Sequence, residues 1–570
     1  MTHVISAAVA KTPPLKIVIV GAVAGGASAA ARARRLSEDS EILLIERGHE
    51  PSFANCGMPY YIGGEIAHRE KLLVAPVQLL RERLKLDVRT RHECLSIDRA
   101  RKTVRILEVD TGKEYVETYD RLILSPGAAP LRPPLPGVNL PRVHTLRNLS
   151  DADRLLAASK AGGRAVVVGG GFIGIEMVEN LLRRGIKTTL LERNPQVLTP
   201  WDPEMVSAFA ETLRDRGVDL RLGEEVTAFG ELPCGISVET SAGDVLEADF
   251  VVLAIGVRPE DDLARAAGLA VAARGGIVTN PRMQTSDPDI YAVGDAVEVR
   301  HVVTKETTRI PLAGPANRQG RIAADACFGR TSTFRGVQGT AIVGLFDHTA
   351  AMTGLSEKAC RAAGIAHEKI YVHPAHHAGY YPGAERISLK LVFDPQDGRV
   401  LGAQAVGGAG IDKRIDVIAM ALQAGMTVFD LEEAELCYAP QFGSAKDPVN
   451  MAGFVAAGVV RGDQPIVHAD QIEELVTAGA YVLDVRTPAE FARGAIPAAI
   501  NIPMEELRAR LQELPRERAI IAYCQVGMRG YLATRVLLQS GFDKVRNLSG
   551  GYTTYRQKFA APMLVSPAAR

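Results

Sequence analysis

The run RAVVVGGGFIGIEMVENLLRRG, which begins at Arg164, constrains the fold more than any other stretch of the chain. A short β-branched strand leads into Gly169, Gly171 and Gly174 in a GxGxxG spacing, and an apolar-periodic helix follows at once. Each glycine answers a separate need: a tight turn, close approach of backbone to a pyrophosphate, and tight packing of helix on strand. The next strand, TTLLE, ends in Glu192, 18 residues after Gly174. A carboxylate there would bond the hydroxyls of an adenosine ribose and repel a 2'-phosphate, which favours NADH over NADPH.

The same alternation of strand, glycines and Ala-rich helix recurs from Leu15 (LKIVIVGAVAGGASAAARARRL) and again near Ala480 (AYVLDVRTPAEF). Such alternation predicts parallel sheets and an α/β fold class. The unit at Leu15 departs from the pattern, because Gly21-Ala-Val-Ala-Gly25-Gly26 places Val23 where the second glycine belongs. Alone it leaves both a nucleotide site and simple helix packing open. Two later features favour the site: Glu46 ends the following strand (EILLIE), and DIYAVGDAVE at 289–298 supplies Asp295 after a further strand. Between about 335 and 460, strands such as ISLKLVFD and VLGAQAVG read as an antiparallel α+β unit, and RGDQP at 461–465 reads as a linker. No 20-to-50-residue period marks a solenoid.

At 570 residues the chain exceeds one core and predicts several domains. Lys and Arg total 66 and Asp and Glu total 66, without a basic or acidic block, so neither nucleic acid nor a membrane surface is expected as partner. No apolar run reaches the ~20 residues of a spanning helix, and the first 15 residues lack a secretory apolar stretch, so a cytoplasmic location is expected. Seven cysteines stand singly at 56, 94, 234, 327, 360, 437 and 524. With no CxxC pair, neither a zinc site nor a disulfide framework is expected, no metal is predicted, and any cysteine chemistry uses single thiols.

Two dinucleotide folds, the first resumed after the second by a YAVGDA segment, resemble the two-dinucleotide-binding flavoprotein disulfide reductases. The resemblance implies FAD in the first site, at Gly21, Ala24, Gly25, Gly26, Glu46, Arg47, Asp295 and Ala313. It implies NADH in the second, at Gly169, Gly171, Gly174, Glu192 and Gly256. LSPGAAP at 124–130 and AIGVRP at 254–259 resemble the family's crossover segments. The implied domains are FAD-binding at 15–125 and 260–334, NADH-binding at 126–259, and dimerisation at 335–460.

Members of that family commonly carry a CxxxxC pair after the FAD ribose acid, whereas SFANCGMPYYIGG holds only Cys56, ten residues beyond Glu46. A single thiol cannot form an internal disulfide, so it would cycle through a mixed disulfide, a persulfide or a sulfenic acid. Gly57 and Pro59 predict a helix start, whose amide dipoles would lower the thiol pKa. SFANCG preceded by GAVAGGAS resembles coenzyme A-disulfide reductases, which have Asn-Cys at this point. That likeness implies coenzyme A contacts at Ser28, Arg32, Arg35, Ser52 and Asn55, although the two arginines also read as a solvated helix face. HAGYYPGAE and LCYAPQFGSAKDPVN resemble segments that bring tyrosines to the neighbouring subunit's site in a homodimer. Tyr380 and Tyr438 match those positions, with Tyr381 as a further candidate, and either proton donation or interface packing would suit them. Gln441 stands where the family commonly has proline.

From about 466 to 562, LDVRTPAEFARGAIPAAINIP, IIAYCQVGMRG and LSGGY resemble rhodanese domains. Cys524 follows a strand, and the amides of 525–529 can form an anion-binding nest around its sulfur, with Arg529 adding positive charge. Asp484 and Arg486 resemble the family's scaffold pair. The combination is similar to coenzyme A-disulfide reductase and rhodanese fusions, including NADH-dependent persulfide reductases. It implies reduction of persulfides, polysulfides and coenzyme A disulfides at Cys56, with Cys524 as sulfur carrier and coenzyme A as tightly bound group or substrate moiety. Two other readings stand beside it: an NADH oxidase or peroxidase cycling through a sulfenic acid, and a redox or sulfide sensor with an interaction module.

Overall fold

The computed structural model describes residues 13–563, and the chain divides into two compact units. One takes in the chain up to Gly163 together with Asn180–Ile186 and Asp249–Val337; the other comprises Arg164–Glu179, Lys187–Ala248 and the chain from Gln338 onward.

In the first unit the run KIVIV makes the central strand Lys16–Val20, parallel to Glu41–Glu46 on one side and Arg121–Leu124 on the other. Asp87–Thr90 and Ile290–Ala292 complete a five-stranded parallel sheet. Ile17, Val18 and Ile19 expose no surface, as strands covered on both faces require. Helix Ala24–Leu36 leaves the strand's C-terminal end and packs against helix Ala313–Cys327 through small residues, so that a side chain on Gly320 would strike the Gly25 carbonyl. The two segments read as crossovers meet each other, Ala128–Pro130 pairing antiparallel with Val257–Pro259. The unit also holds a three-stranded antiparallel layer, His92–Asp98, Thr103–Glu108 and Lys113–Thr118.

The second unit contains the parallel strands Arg164–Val168, Lys187–Glu192 and Asp219–Leu222. It also holds the expected antiparallel α+β region, a sheet ordered Ala341–Leu345, His348–Gly354, Val400–Gly407, Ile387–Phe393 and Glu368–Val372. Helices Ile411–Ala424 and Pro448–Val460 accompany that sheet. The C-terminal part is a parallel sheet ordered Ile466–Val467, Val545–Leu548, Ile520–Tyr523, Tyr481–Asp484 and Ile500–Asn501. It rests on the edge strand Glu368–Val372, where the Tyr371 amide donates to Ser549 Oγ at 3.1 Å, so a backbone group that would otherwise invite strand pairing is satisfied. Among the described residues no helix is long and apolar enough to cross a membrane.

Candidate active site

Cys56 sits on a short turn of 3-10 helix, Asn55–Gly57, directly before helix Met58–Gly63 with Pro59 in its first turn. The helix start read from Gly57 and Pro59 is present. It runs only six residues, so its dipole acts at the weak end of the usual range. Cys56 and Asn55 are exposed. The segment is tied to the first glycine loop through Ser52, whose amide donates to the Ala22 carbonyl at 2.7 Å and whose own carbonyl accepts from Val74 and Ala75. Ser52 holds φ at 48°, a left-handed conformation that costs a non-glycine residue about 1 kcal/mol or more and clusters at functional sites. Asn55 Nδ2 donates to the Arg147 carbonyl at 3.4 Å.

The other two cysteines of this unit are unsuited to partner Cys56. Burial pushes Cys94 and Cys327 up to about 12 each, so both stay protonated thiols at neutral pH.

The proposed FAD residues gather at the C-terminal end of the first sheet. Gly26 is the third glycine of the fingerprint, since a side chain there would collide with the Gly21 carbonyl. Val23 occupies the second position without disturbing the turn and supplies the backbone cap of helix Ala24–Leu36. Glu46 Oε2 accepts from the Ala22 amide at 2.9 Å and Oε1 from the Gly48 amide at 2.8 Å, which fixes the acid beneath the loop. Asp295, in the turn Gly294–Ala296, is half-buried, and burial alone raises its carboxyl. A half-buried carboxyl that burial alone shifts, on a turn whose Gly294 amide donates to Gln319 of helix Ala313–Cys327, fits a hydroxyl-bearing ligand such as a ribityl chain. Ala313 opens that helix, which has no side-chain cap.

Arg47 is otherwise occupied: its guanidinium donates to both oxygens of Glu260 at 2.8 and 3.0 Å, and Arg147 donates to the same carboxylate. Burial opposes ionisation of Glu260, and the two arginines outweigh it, holding its carboxyl below the usual range. The Arg47–Glu260–Arg147 group, reached by no sequence signal, links the loop after the ribose acid to the backbone beside Asn55.

Of the residues matched to coenzyme A contacts, Arg35 lies exposed near the end of helix Ala24–Leu36. Ser28 Oγ donates to Asn317, and Arg32 Nε and Nη2 both reach Asp325 at 2.7 Å. These two side chains join helix Ala24–Leu36 to helix Ala313–Cys327.

In the second unit, Gly169, Gly171 and the buried Gly174 follow strand Arg164–Val168. A side chain on Gly171 would meet nothing within 4 Å; protein packing does not explain this glycine, and the space it leaves suits a phosphate brought against the backbone. Glu192 is buried, accepting from the Gly170 amide at 2.7 Å and the Asn194 amide at 2.8 Å. Gly256 belongs to the other unit, where its carbonyl accepts from Leu131 at 2.9 Å.

Tyr380 and Tyr438 are brought together, their phenol oxygens 3.0 Å apart, while Tyr381 packs its ring on His377. Cys524 is buried at the end of strand Ile520–Tyr523, and its Sγ accepts from the Gly527 amide at 3.2 Å. Arg486 forms the expected buried pair with Asp484, at 2.7 Å, and also donates to Gln525 of the loop at 3.2 Å. Arg529 is shared between two groups. Its guanidinium donates to both oxygens of Glu490 at 2.7 and 2.8 Å, and this hydrogen bonding holds Glu490 at about 2, while the same guanidinium also interacts with Cys524.

Three buried carboxylates, Asp202, Glu204 and Glu357, stand close enough to share a cation. That cation is the chain's own: Lys390 Nζ lies 2.8, 2.6 and 2.6 Å from them.

Three family models match the chain: the pyridine nucleotide-disulphide oxidoreductase at residues 15–320, its dimerisation domain at 340–448, and the rhodanese-like domain at 468–558. The chain is 34% identical to a coenzyme A disulfide reductase of Staphylococcus haemolyticus over 77% of its own length and 99% of that protein. Among solved structures it is similar to reduced Bacillus anthracis CoADR-RHD, at 47% identity and a TM-score of 0.95, covering 98% of this chain and all of that one. A NAD-dependent persulfide reductase from A. fulgidus matches at 35% identity and a TM-score of 0.89, over 95% of this chain and all of that one.

Proposed function

The chain belongs to the pyridine nucleotide-disulphide oxidoreductases, and from that premise we propose that it is an FAD-dependent NADH:persulfide and polysulfide reductase. It also acts on coenzyme A disulfide, and its rhodanese domain carries sulfane sulfur. The observation that carries this reading is the exposed Cys56 in a unit whose other cysteines, the half-buried Cys94 and the buried Cys327, are held as protonated thiols, which leaves the reductase one sulfur with which to hold substrate. The similarity to proteins titled coenzyme A disulfide reductase and persulfide reductase supports it.

Bound FAD supplies the relay by which two electrons from NADH reach the sulfur on Cys56. The Cys56 thiolate attacks the outer sulfur of a persulfide R–S–SH, forming Cys56–S–SH and expelling R–S⁻. Two electrons then cleave the new S–S bond, returning the Cys56 thiolate and releasing HS⁻. With coenzyme A disulfide the same attack leaves a mixed disulfide and one thiolate, and reduction frees the second. Tyr380 and Tyr438, presented to the partner subunit of a cytoplasmic homodimer, protonate the departing thiolate. Cys524 accepts sulfane sulfur from donors that Cys56 does not reach, a purpose a plain disulfide reductase lacks.

The test is anaerobic NADH oxidation against coenzyme A persulfide, coenzyme A disulfide, polysulfide and peroxide, with hydrosulfide measured. Stoichiometric hydrosulfide from persulfide, abolished in Cys56→Ser, is expected. Full persulfide reduction by Cys56→Ser overturns the reading, and faster turnover of peroxide than of persulfide replaces it with a peroxidase.

A further inference from the structure

The turn Ser549 to Gly551 touches two separate parts of the chain. On one side is the edge strand Glu368–Val372 and the residue after it, His373. Ser549 Oγ accepts from the Tyr371 amide, and a side chain on Gly550 would come within 2.7 Å of Tyr371 Cβ. On the other side is the Cys524 loop. A side chain on Gly551 would come within 2.8 Å of the Gly527 amide and 2.9 Å of the Val526 amide, and would strike the Cys524 carbonyl. Gly551 holds φ at +62°, so no other residue takes its place without strain.

From this turn the helix Gly551–Met563 begins, and its first amides hold the loop: Tyr552 donates to the Cys524 carbonyl at 2.8 Å and Thr553 to the Gln525 carbonyl at 3.0 Å. Gln525 Nε2 returns a bond to Thr553 Oγ1 at 3.0 Å. One residue on, Thr554 Oγ1 lies 2.8 Å from His373 Nε2, and His373 Nδ1 lies 3.0 Å from Ser388 Oγ; both Thr554 and His373 are buried. Burial, with Arg386 nearby, brings His373 down to about 4, so a neutral imidazole bridges two hydroxyls at neutral pH. Tyr371 is itself anchored, its phenol donating to Glu204 at 2.7 Å with Lys390 over the ring.

We propose that Tyr371 and His373 are positioning residues for the Cys524 loop, so that the Gly527 amide that bonds the Cys524 sulfur is set by residues of the antiparallel-sheet region rather than by the rhodanese fold alone. The inference rests on the reading of Cys524 as a sulfur acceptor. In that step the Cys524 thiolate takes the outer sulfur of R–S–SH, becoming Cys524–S–SH as R–S⁻ leaves. A loop displaced from its cradle loses the Gly527 amide that bonds the sulfur anion.

The experiment uses the full chain and compares His373→Ala, Thr554→Val and the conservative His373→Gln. Amide exchange across 524–529 is followed by mass spectrometry, and sulfur uptake by Cys524 from a polysulfide by the mass gain of one sulfur atom. Loss of one buried bond is expected to slow uptake about tenfold in the first two variants and to speed exchange in 524–529 by a similar factor. Exchange in the remaining peptides of 466–563 and NADH-dependent reduction of coenzyme A disulfide stay unchanged, and His373→Gln restores the wild-type loop. Unchanged exchange in both His373→Ala and Thr554→Val overturns the proposal, as does uniform acceleration through 466–563, which would make these residues a general anchor. A wild-type Cys524 that takes up no sulfur removes the carrier reading alone, and the exchange pattern still decides whether the loop is set from outside.

Discussion

The phenol oxygens of Tyr380 and Tyr438 lie 3.0 Å apart across 58 residues of sequence, with both side chains exposed. The hydrogen bond from one phenol to the other raises Tyr380 above its ordinary value, because ionising it would forfeit the shared proton. A raised phenol stays protonated, and so able to donate, to a higher pH. In Tyr438→Phe that support is lost, and the alkaline limb of kcat with coenzyme A disulfide is expected to move down toward about pH 10. Tyr380→Phe should lower kcat about a hundredfold if it is the donor. An alkaline limb unchanged in Tyr438→Phe would show that the pair only packs.

We propose that Glu192 selects the nucleotide. Its oxygens accept from the Gly170 and Asn194 amides, which holds the carboxylate beside the glycine loop, where it would bond ribose hydroxyls and repel a 2'-phosphate. Glu192→Ala is expected to raise KM for NADH about tenfold, the worth of one hydrogen bond to a charged group, while KM for NADPH falls. Steady-state kinetics with both nucleotides read this directly, and a KM ratio unmoved by the change would assign discrimination to another residue.

Arg529 and Glu490 set the charge beside Cys524. With Glu490 held at about 2 by Arg529, the pair is ionised throughout the physiological range. Glu490→Gln keeps the side-chain length that caps helix Pro488–Ala492 through Thr487 and releases the guanidinium. The KM for an anionic donor such as thiosulfate is expected to fall about fivefold at low ionic strength, the upper range for an exposed pair, and to approach wild type in high salt. A salt-independent KM would place Arg529 outside the donor's reach.

The parts of this chain that were legible beforehand are those whose requirements are local. Gly26 is demanded by the nearby Gly21 carbonyl and Gly171 by the open space beside its backbone, so a strand and a glycine spacing announce both. Cys56 is singled out by its position ten residues after Glu46; its exposure is a finding of the fold. Val23, which weakened the first fingerprint on paper, is harmless because that position caps the helix through its backbone. What stayed hidden are long-range charges. Arg32, matched to a coenzyme A contact, is paired with Asp325, 293 residues away, which neither segment announces. Glu260 between two arginines, and Glu490 under Arg529, have partners that only the folded chain brings near. The tyrosine pair was reached through likeness to known segments; their meeting was not readable from either segment alone.

Lys390 is the deepest of these hidden charges and yields the sharpest prediction. Burial works against ionising Glu204, yet the Lys390 ammonium outweighs it and holds Glu204 at about 2; Glu357 is depressed further by Lys390 and Lys369. Because both folded values lie below the ordinary 4.5, the stability they contribute is fully present above about pH 4.5 and is lost as pH falls toward 2. In Lys390→Met three carboxylates, Asp202, Glu204 and Glu357, remain buried without their central cation. The expected cost is about 3–5 kcal/mol at neutral pH, the usual penalty for breaking one side of a buried ion pair. The slope also inverts at Glu204, which keeps only the distant Lys558 as a cation, while Glu357 retains Lys369 and Arg361. Burial then makes the Glu204 carboxyl bind its proton more tightly in the folded variant than in the unfolded chain, so the variant gains stability between pH 7 and 5 while the wild-type cluster contributes no slope there. Thermal melting of both proteins across that range measures the sign, and a variant that loses stability on acidification in parallel with the wild type would show that Lys390 does not hold the three charges together.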